Sequence, residues 1–172
     1  FLDPDDYFAT NSLSSIRDDA EQQECDIFVL RSMKSNGMAE AYRWQTLFAD
    51  RYTDTGKEIY KKGYTRGSVC GCLFKKEFIN RFNIRFYEKA RNCEDTIFFF
   101  LSQMHAESIM FLDKEFYVVY ERENSASRCF SEDKILMMFN NLEYVQQYAA
   151  ANRIIDETCI DMLETLKYLL IS

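Results

Sequence analysis

Two groups of carboxylates have types and spacings that could do chemistry. The first lies in FLDPDDYF, at the start of the chain. Asp3, Asp5 and Asp6 fall within four positions around Pro4, the only proline. Like charges this close repel, so something positive should sit among them. A turn with acidic helix-capping residues is one reading, because Asp and Pro both favour turns. A calcium loop is a second, although no EF-hand Gly or terminal Glu follows at the right spacing. A hard-cation site is a third, in which alternate carboxylates share Mg²⁺ or Mn²⁺ with phosphate oxygens. The second group is Glu94-Asp95, just ahead of Phe98, Phe99 and Phe100. Asn92 could cap a helix starting there, with Asp95 accepting backbone N–H groups at its N3 position. The same carboxylate, fixed at a helix lip and partly desolvated by aromatics, suits a general base. The helix dipole lowers its pKa and the apolar surroundings raise it; the sequence leaves the sign open.

Other chemistries find little support. His105 is the only histidine, so a Ser-His-Asp or Cys-His centre would have to use it. No matching motif surrounds it, and it reads as structural, as Trp44 reads as packing. Cys70-Gly71-Cys72 is the only close cysteine pair, and no second pair or nearby His completes a zinc site. The six cysteines are irregularly spaced and read as reduced thiols of a cytosolic protein. A net charge of −7, from 28 acids and 21 bases, disfavours binding to nucleic acid. Lys61-Lys62 and Lys75-Lys76 read as solvated faces. The sequence shows no signal peptide and no apolar run long enough to span a bilayer. It also lacks an initiator Met, and its first residues read like the tail of a strand, so a piece of a longer protein is expected.

The elements that must position these groups read as α/β. Phe1-Leu2 is expected to end a buried strand, with the acids just past its C-terminal edge, where ligands bind in open α/β sheets. Residues 9–23 read as a helix starting near Asn11 or Ser12, and 25–31 as a strand. Residues 39–48 are ambiguous between strand and helix. Residues 50–72 read as a loose stretch carrying Gly56, Gly63, Gly67 and Gly71. Phe74 to Phe82 suggests a short helix, and TIFFFLSQMHA a long apolar one. Strands are expected at 108–112 and 115–121, and helices at 131–151 and 154–170. Ile135, Leu136, Phe139, Leu142 and Val145 recur at helical spacing, as do Ile155, Cys159, Met162, Leu166 and Leu169. Both stripes are expected to pack on the main domain; a partner helix or a membrane surface is the lesser alternative.

Three segments, in order, resemble the family 2 glycosyltransferases of the GT-A fold. They are FLDPDDYF with its helix and CDIFV, then GSVCGCLFKKEFINRFNIRFYEKARNCEDTIFFF, then SIMFLDKEFYVVYERENSASR. The resemblance covers roughly residues 1–130. It implies an α/β fold, the C-terminal part of a GT-A mixed sheet flanked by helices, with residues 131–172 as a helical extension packed on it. It also implies an inverting, metal-dependent transfer of sugar from a nucleotide-diphosphate sugar to an acceptor hydroxyl, in bacterial polysaccharide or glycan synthesis. Asp3 and Asp5 match the Asp-x-Asp pair that holds Mg²⁺ or Mn²⁺ at the donor diphosphate, with Asp6 in support. Asp95 matches the general base, beside Glu94. Arg122 and Arg128, in YERENSASR, match a segment near the nucleotide phosphates. Cys70 and Cys72 stand where family members often have Trp and Lys, which leaves the acceptor class open.

The resemblance places the first half of the nucleotide-binding sheet ahead of Phe1, so these residues alone are expected to be inactive. The implied partners are the nucleotide sugar and a saccharide or lipid-linked acceptor, with no nucleic acid. The implied location is cytoplasmic, with peripheral contact at the inner face of a membrane and a homodimer both left open. Two other readings stand beside this one. A degenerate relative could act as a protein- or glycan-binding module, and a phosphoryl-transfer enzyme could use Asp3, Asp5 and Glu94.

Overall fold

The run Ile27-Phe28-Val29-Leu30 is apolar at every position. In a strand this sends Ile27 and Val29 to one face and Phe28 and Leu30 to the other. A strand that is apolar on both sides belongs inside a sheet covered on both faces. The computed structural model, which describes residues 1–34, 47–90, 93–120 and 132–171, shows that arrangement. Strands β1 (Tyr7–Phe8), β2 (Ile27–Lys34), β3 (Thr53–Asp54), β4 (Cys72–Phe74) and β5 (Ile109–Val119) form one mixed sheet. β2 lies between β5, which runs parallel to it, and β4, which runs antiparallel. β5 also pairs antiparallel with β3 at its start and with β1 near its end.

The helices are α1 (Ser12–Gln22), α2 (Gly56–Lys61), α3 (Lys76–Arg81), α4 (Glu94–His105), α5 (Glu132–Ala151) and α6 (Glu157–Ile171). Ile27, Val29, Ile109 and Phe111 face the larger core, filled by α4 and by Val145, Cys159, Met162 and Leu166 of α5 and α6. Phe28, Leu30, Met110 and Leu112 face a smaller core under Ile16 of α1. α4 is buried from Thr96 to Met104, as expected of a helix apolar all round. α2 starts at Thr55, whose hydroxyl accepts from the Glu58 N–H at 3.2 Å, a side-chain N-cap. Gly56 lets α2 meet α4: a Cβ there would lie 1.9 Å from the Gln103 carbonyl oxygen.

Several expectations are corrected. Phe1 and Leu2 are exposed and outside the sheet; the first ladder pair at this end is Tyr7 with Val118. The two strands expected at 108–112 and 115–121 are one strand. Asp113 and Lys114 look like a turn in sequence, but β5 absorbs them as a register shift: Leu30 faces Leu112, and Arg31 faces Glu115. The short helix begins at Lys76, because Cys72–Phe74 pairs with Ile27–Val29 as β4. The stretch 50–72 contains β3 and α2. Within the helical stripes, Leu136, Phe139 and Ile155 are exposed, whereas Val145, Cys159, Met162 and Leu166 are buried. Residues 39–46, with Trp44, lie outside the described residues. The five described cysteines are unbridged. Among the described residues no helix is long and apolar enough to cross a membrane.

Candidate active site

The acidic turn is tied to the end of β5. The Asp6 N–H donates to the Asp3 carbonyl at 3.1 Å and closes the turn. Tyr117, fully buried on β5, puts its hydroxyl at the mouth of that turn. The hydroxyl accepts from the Asp3 N–H at 3.1 Å and donates to Asp6 Oδ2 at 2.7 Å. Asp6 Oδ1 accepts from the Tyr120 N–H at 2.8 Å. Burial, reinforced by hydrogen bonds to Cys70 and Asp6, pushes the Tyr117 pKa well above the usual tyrosine value, so the hydroxyl stays protonated.

Asp95 is held by the segment that precedes β4. The Val69 N–H and the Ser68 hydroxyl both donate to Asp95 Oδ2 at 3.3 Å. Thr96 donates to the Gly67 carbonyl at 2.9 Å, which lays the segment against the start of α4. The same Ser68 Oγ accepts from the Cys70 N–H at 3.0 Å. The Cys70 thiol in turn donates to Asp3 Oδ2 at 3.5 Å. A chain of hydrogen bonds through Ser68 and Cys70 therefore links Asp95 to Asp3. Aromatic packing agrees with this. Phe98 shares a face of α4 with Asp95, three residues on, and the Phe1 ring packs edge-on against it at 5.0 Å.

Burial raises the Asp95 pKa, and the charges of Asp3 and Glu94 add to the rise; the Val69 and Ser68 hydrogen bonds oppose it. Desolvation thus outweighs the groups that favour the anion. Asp95 is also not the internal cap expected from Asn92: it accepts from Val69, on the segment before β4, and Cys93 occupies the N-cap position without a side-chain cap. Asn92 itself lies outside the described residues.

No protein-family model matches the chain. Over 131 residues, 73% of its length, it is 28% identical to an uncharacterized glycosyltransferase, EpsJ of Bacillus subtilis (strain 168). The S. aureus TarS 1–349 structure in complex with UDP-GlcNAc superposes on 83% of the chain with a TM-score of 0.63 at 21% identity. TarS 1–349 in complex with UDP superposes on 83% with a TM-score of 0.59 at 19% identity. The chain has a partial GT-A glycosyltransferase fold. It spans 38% of the length of EpsJ and 41% of the TarS chain bound to UDP-GlcNAc.

Within this glycosyltransferase fold, the ligand atoms of Asp3, Asp6 and Cys70 lie within 4.8 Å of one another. A carboxylate such as Asp3 at this point suits a hard divalent cation, which is commonly held by one or two carboxylates and completed by phosphate oxygens and water. Burial raises the Cys70 pKa, with Asp3 and Asp95 adding to it, so in this structure the thiol acts as a hydrogen-bond donor to Asp3. Asp5, expected beside Asp3, is not a member of this group. Glu94 is exposed in the first turn of α4. Arg122 and Arg128 lie outside the described residues.

Two residues that build the site, Tyr117 and Ser68, carried no signal as site residues, and Cys70 was read only as a departure from the family pattern. Tyr117 reads as one more apolar position of a strand. Ser68 and Cys70 sit in a Gly-rich stretch held by Asp95 and Thr96 of α4, by Leu30 of β2 and by Arg66. The apolar run before and after the acids in FLDPDDYF gave no hint that Tyr117 would hold the turn.

Proposed function

We propose that this chain forms the catalytic side of a metal-dependent, inverting glycosyltransferase of the family 2 type. It moves a sugar from a nucleotide-diphosphate sugar to an acceptor hydroxyl. The observation that carries this reading is the hydrogen-bonded link from Asp95 through Ser68 and Cys70 to Asp3 of the acidic turn. The kinship with a glycosyltransferase and the fold shared with a UDP-sugar-bound protein support it. They favour a UDP-sugar donor.

Each residue has a task that its surroundings fit. Asp95, desolvated and held through one oxygen, takes the proton of the acceptor hydroxyl. Its raised pKa brings its basicity closer to neutral pH, where a general base works best. Glu94, next to it at the helix start, adds negative charge that keeps that basicity up. The acceptor oxygen attacks the anomeric carbon from the side opposite the leaving nucleotide, and configuration inverts. Asp3 and Asp5 would hold Mg²⁺ or Mn²⁺, and Asp6 supports the turn. When bound, the cation offsets charge that develops on the leaving group. Arg122 and Arg128 are proposed phosphate contacts.

The acceptor is a saccharide or a lipid-linked saccharide, and the setting is bacterial polysaccharide synthesis at the cytoplasmic side of a membrane. This chain alone is proposed to be inactive. The test is donor consumption by the full-length protein across a panel of UDP- and GDP-sugars, with Mn²⁺ or with EDTA. Consumption of one donor that EDTA abolishes is expected. Soundly folded protein that consumes none would favour the non-catalytic binding module instead.

A further inference from the structure

We propose that Asp6 and Tyr117 form a positioning clamp that fixes the acidic turn on β5, so that Asp6 acts on the cation site through Tyr117 and is not itself a ligand. This rests on the reading of the acidic turn as the cation and diphosphate site. Asp6 lies as near the site as Asp3 does, yet both of its oxygens are engaged by protein donors. Oδ2 accepts the Tyr117 hydroxyl at 2.7 Å, and Oδ1 accepts the Tyr120 N–H at 2.8 Å.

Tyr117 makes two bonds with one oxygen. Its proton goes to Asp6, and its lone pair takes the Asp3 N–H at 3.1 Å. A single buried hydroxyl thus holds both ends of the turn that Asp6 N–H and the Asp3 carbonyl close. The anchor is rigid. Tyr117 pairs with Ser32 of β2 and with Phe8 of β1 in the sheet ladder, and the Phe8 ring packs edge-on against its own. No solvent reaches this residue, so bulk water cannot replace a lost partner. The backbone of Asp3 is therefore anchored from β5. Groups that orient a metal-binding carboxylate in this way typically matter about 10–100-fold to metal affinity.

The test is Mn²⁺ affinity by electron paramagnetic resonance on the full-length protein, with thermal melting as a control. Wild type, Tyr117→Phe, Asp6→Asn and the double variant are compared. Tyr117→Phe keeps the buried ring and loses the hydroxyl; it is expected to weaken Mn²⁺ binding by about 10-fold or more. Asp6→Asn, at a half-buried side chain, gives a second reading of the same loss if the first variant melts early. Residues that act as one unit are not additive, so the double variant is expected to bind Mn²⁺ no worse than the weaker single. Wild-type affinity in Tyr117→Phe overturns the clamp. So does a double variant whose loss equals the two single losses combined, because Asp6 would then ligate on its own. A wild type that binds no Mn²⁺ overturns the cation site and the clamp together.

Discussion

Asp3, ahead of β1, and Asp95, between β4 and β5, are joined through Cys70 and Ser68. The Cys70 thiol donates to Asp3, its N–H donates to Ser68 Oγ, and Ser68 donates to Asp95. The charge on Asp3 adds to the upward pull on Asp95. A divalent cation beside Asp3 would reverse that contribution.

The first consequence concerns stability. A carboxylate whose folded pKa is raised stabilises the fold when protonated, and that contribution is lost as pH rises through the folded value. At neutral pH the ionised Asp95 is therefore a burden on the fold. Asp95→Asn keeps an oxygen for Val69 and Ser68 and removes the charge. Its melting temperature at pH 7 is expected to equal or exceed that of wild type, with the gap closing as pH falls. A clear loss of stability at pH 7 would show that the anion is held more strongly than burial opposes it.

His105 sets a second pH dependence at the far end of the same helix. Its ring stacks on Phe82 at 4.1 Å, and its Nε2 lies 3.0 Å from the Tyr148 hydroxyl of α5. Burial, helped by the charge of Lys57, lowers its pKa from 6.5 to about 4. A depressed folded value means that the fold favours the neutral ring. The contribution is complete above pH 6.5 and is lost as pH falls toward about 4. Melting temperatures between those limits should fall with pH, and His105→Gln should flatten the slope.

How far these features could be read from the sequence depends on whether they are local. The alternation of Ile27 to Leu30 and the apolar run of α4 state their burial directly, and both acidic groups were legible as candidate sites. The β4 pairing, the single strand across Asp113-Lys114 and the role of Tyr117 were not. Each is decided by a partner far along the chain: Ile27–Val29 for β4, the β2 register for β5, and the acidic turn for Tyr117. The helical stripes show the same limit. Periodicity marks a face of a helix, but whether Phe139 or Val145 meets the core depends on where that helix docks.

That docking gives a third prediction. Met162 is fully buried and Phe139 is 58% exposed. Met162→Ala should cost about 2–5 kcal/mol, and Phe139→Ala should stay within about 0.5 kcal/mol of wild type. Urea denaturation separates the two. Equal costs would mean that both stripes are covered.

Gly56 gives a fourth. Its missing Cβ is what admits the Gln103 carbonyl, and a main-chain oxygen cannot rotate away as a side chain can. Gly56→Ala should destabilise the fold by about 1–3 kcal/mol or more through overpacking. A urea midpoint unchanged from wild type would show that α2 and α4 do not meet this closely.

The most direct measurement is single-turnover sugar transfer by the full-length protein carrying Asp95→Asn, with donor affinity measured beside it. Loss of general-base help should slow transfer by about 10²–10⁴-fold while donor affinity stays near wild type. In wild type, the rate should fall as pH drops through the raised pKa of Asp95, because only the ionised carboxylate takes the proton. Wild-type transfer by Asp95→Asn would contradict the assignment and leave Glu94-Asp95 as the start of a helix and nothing more.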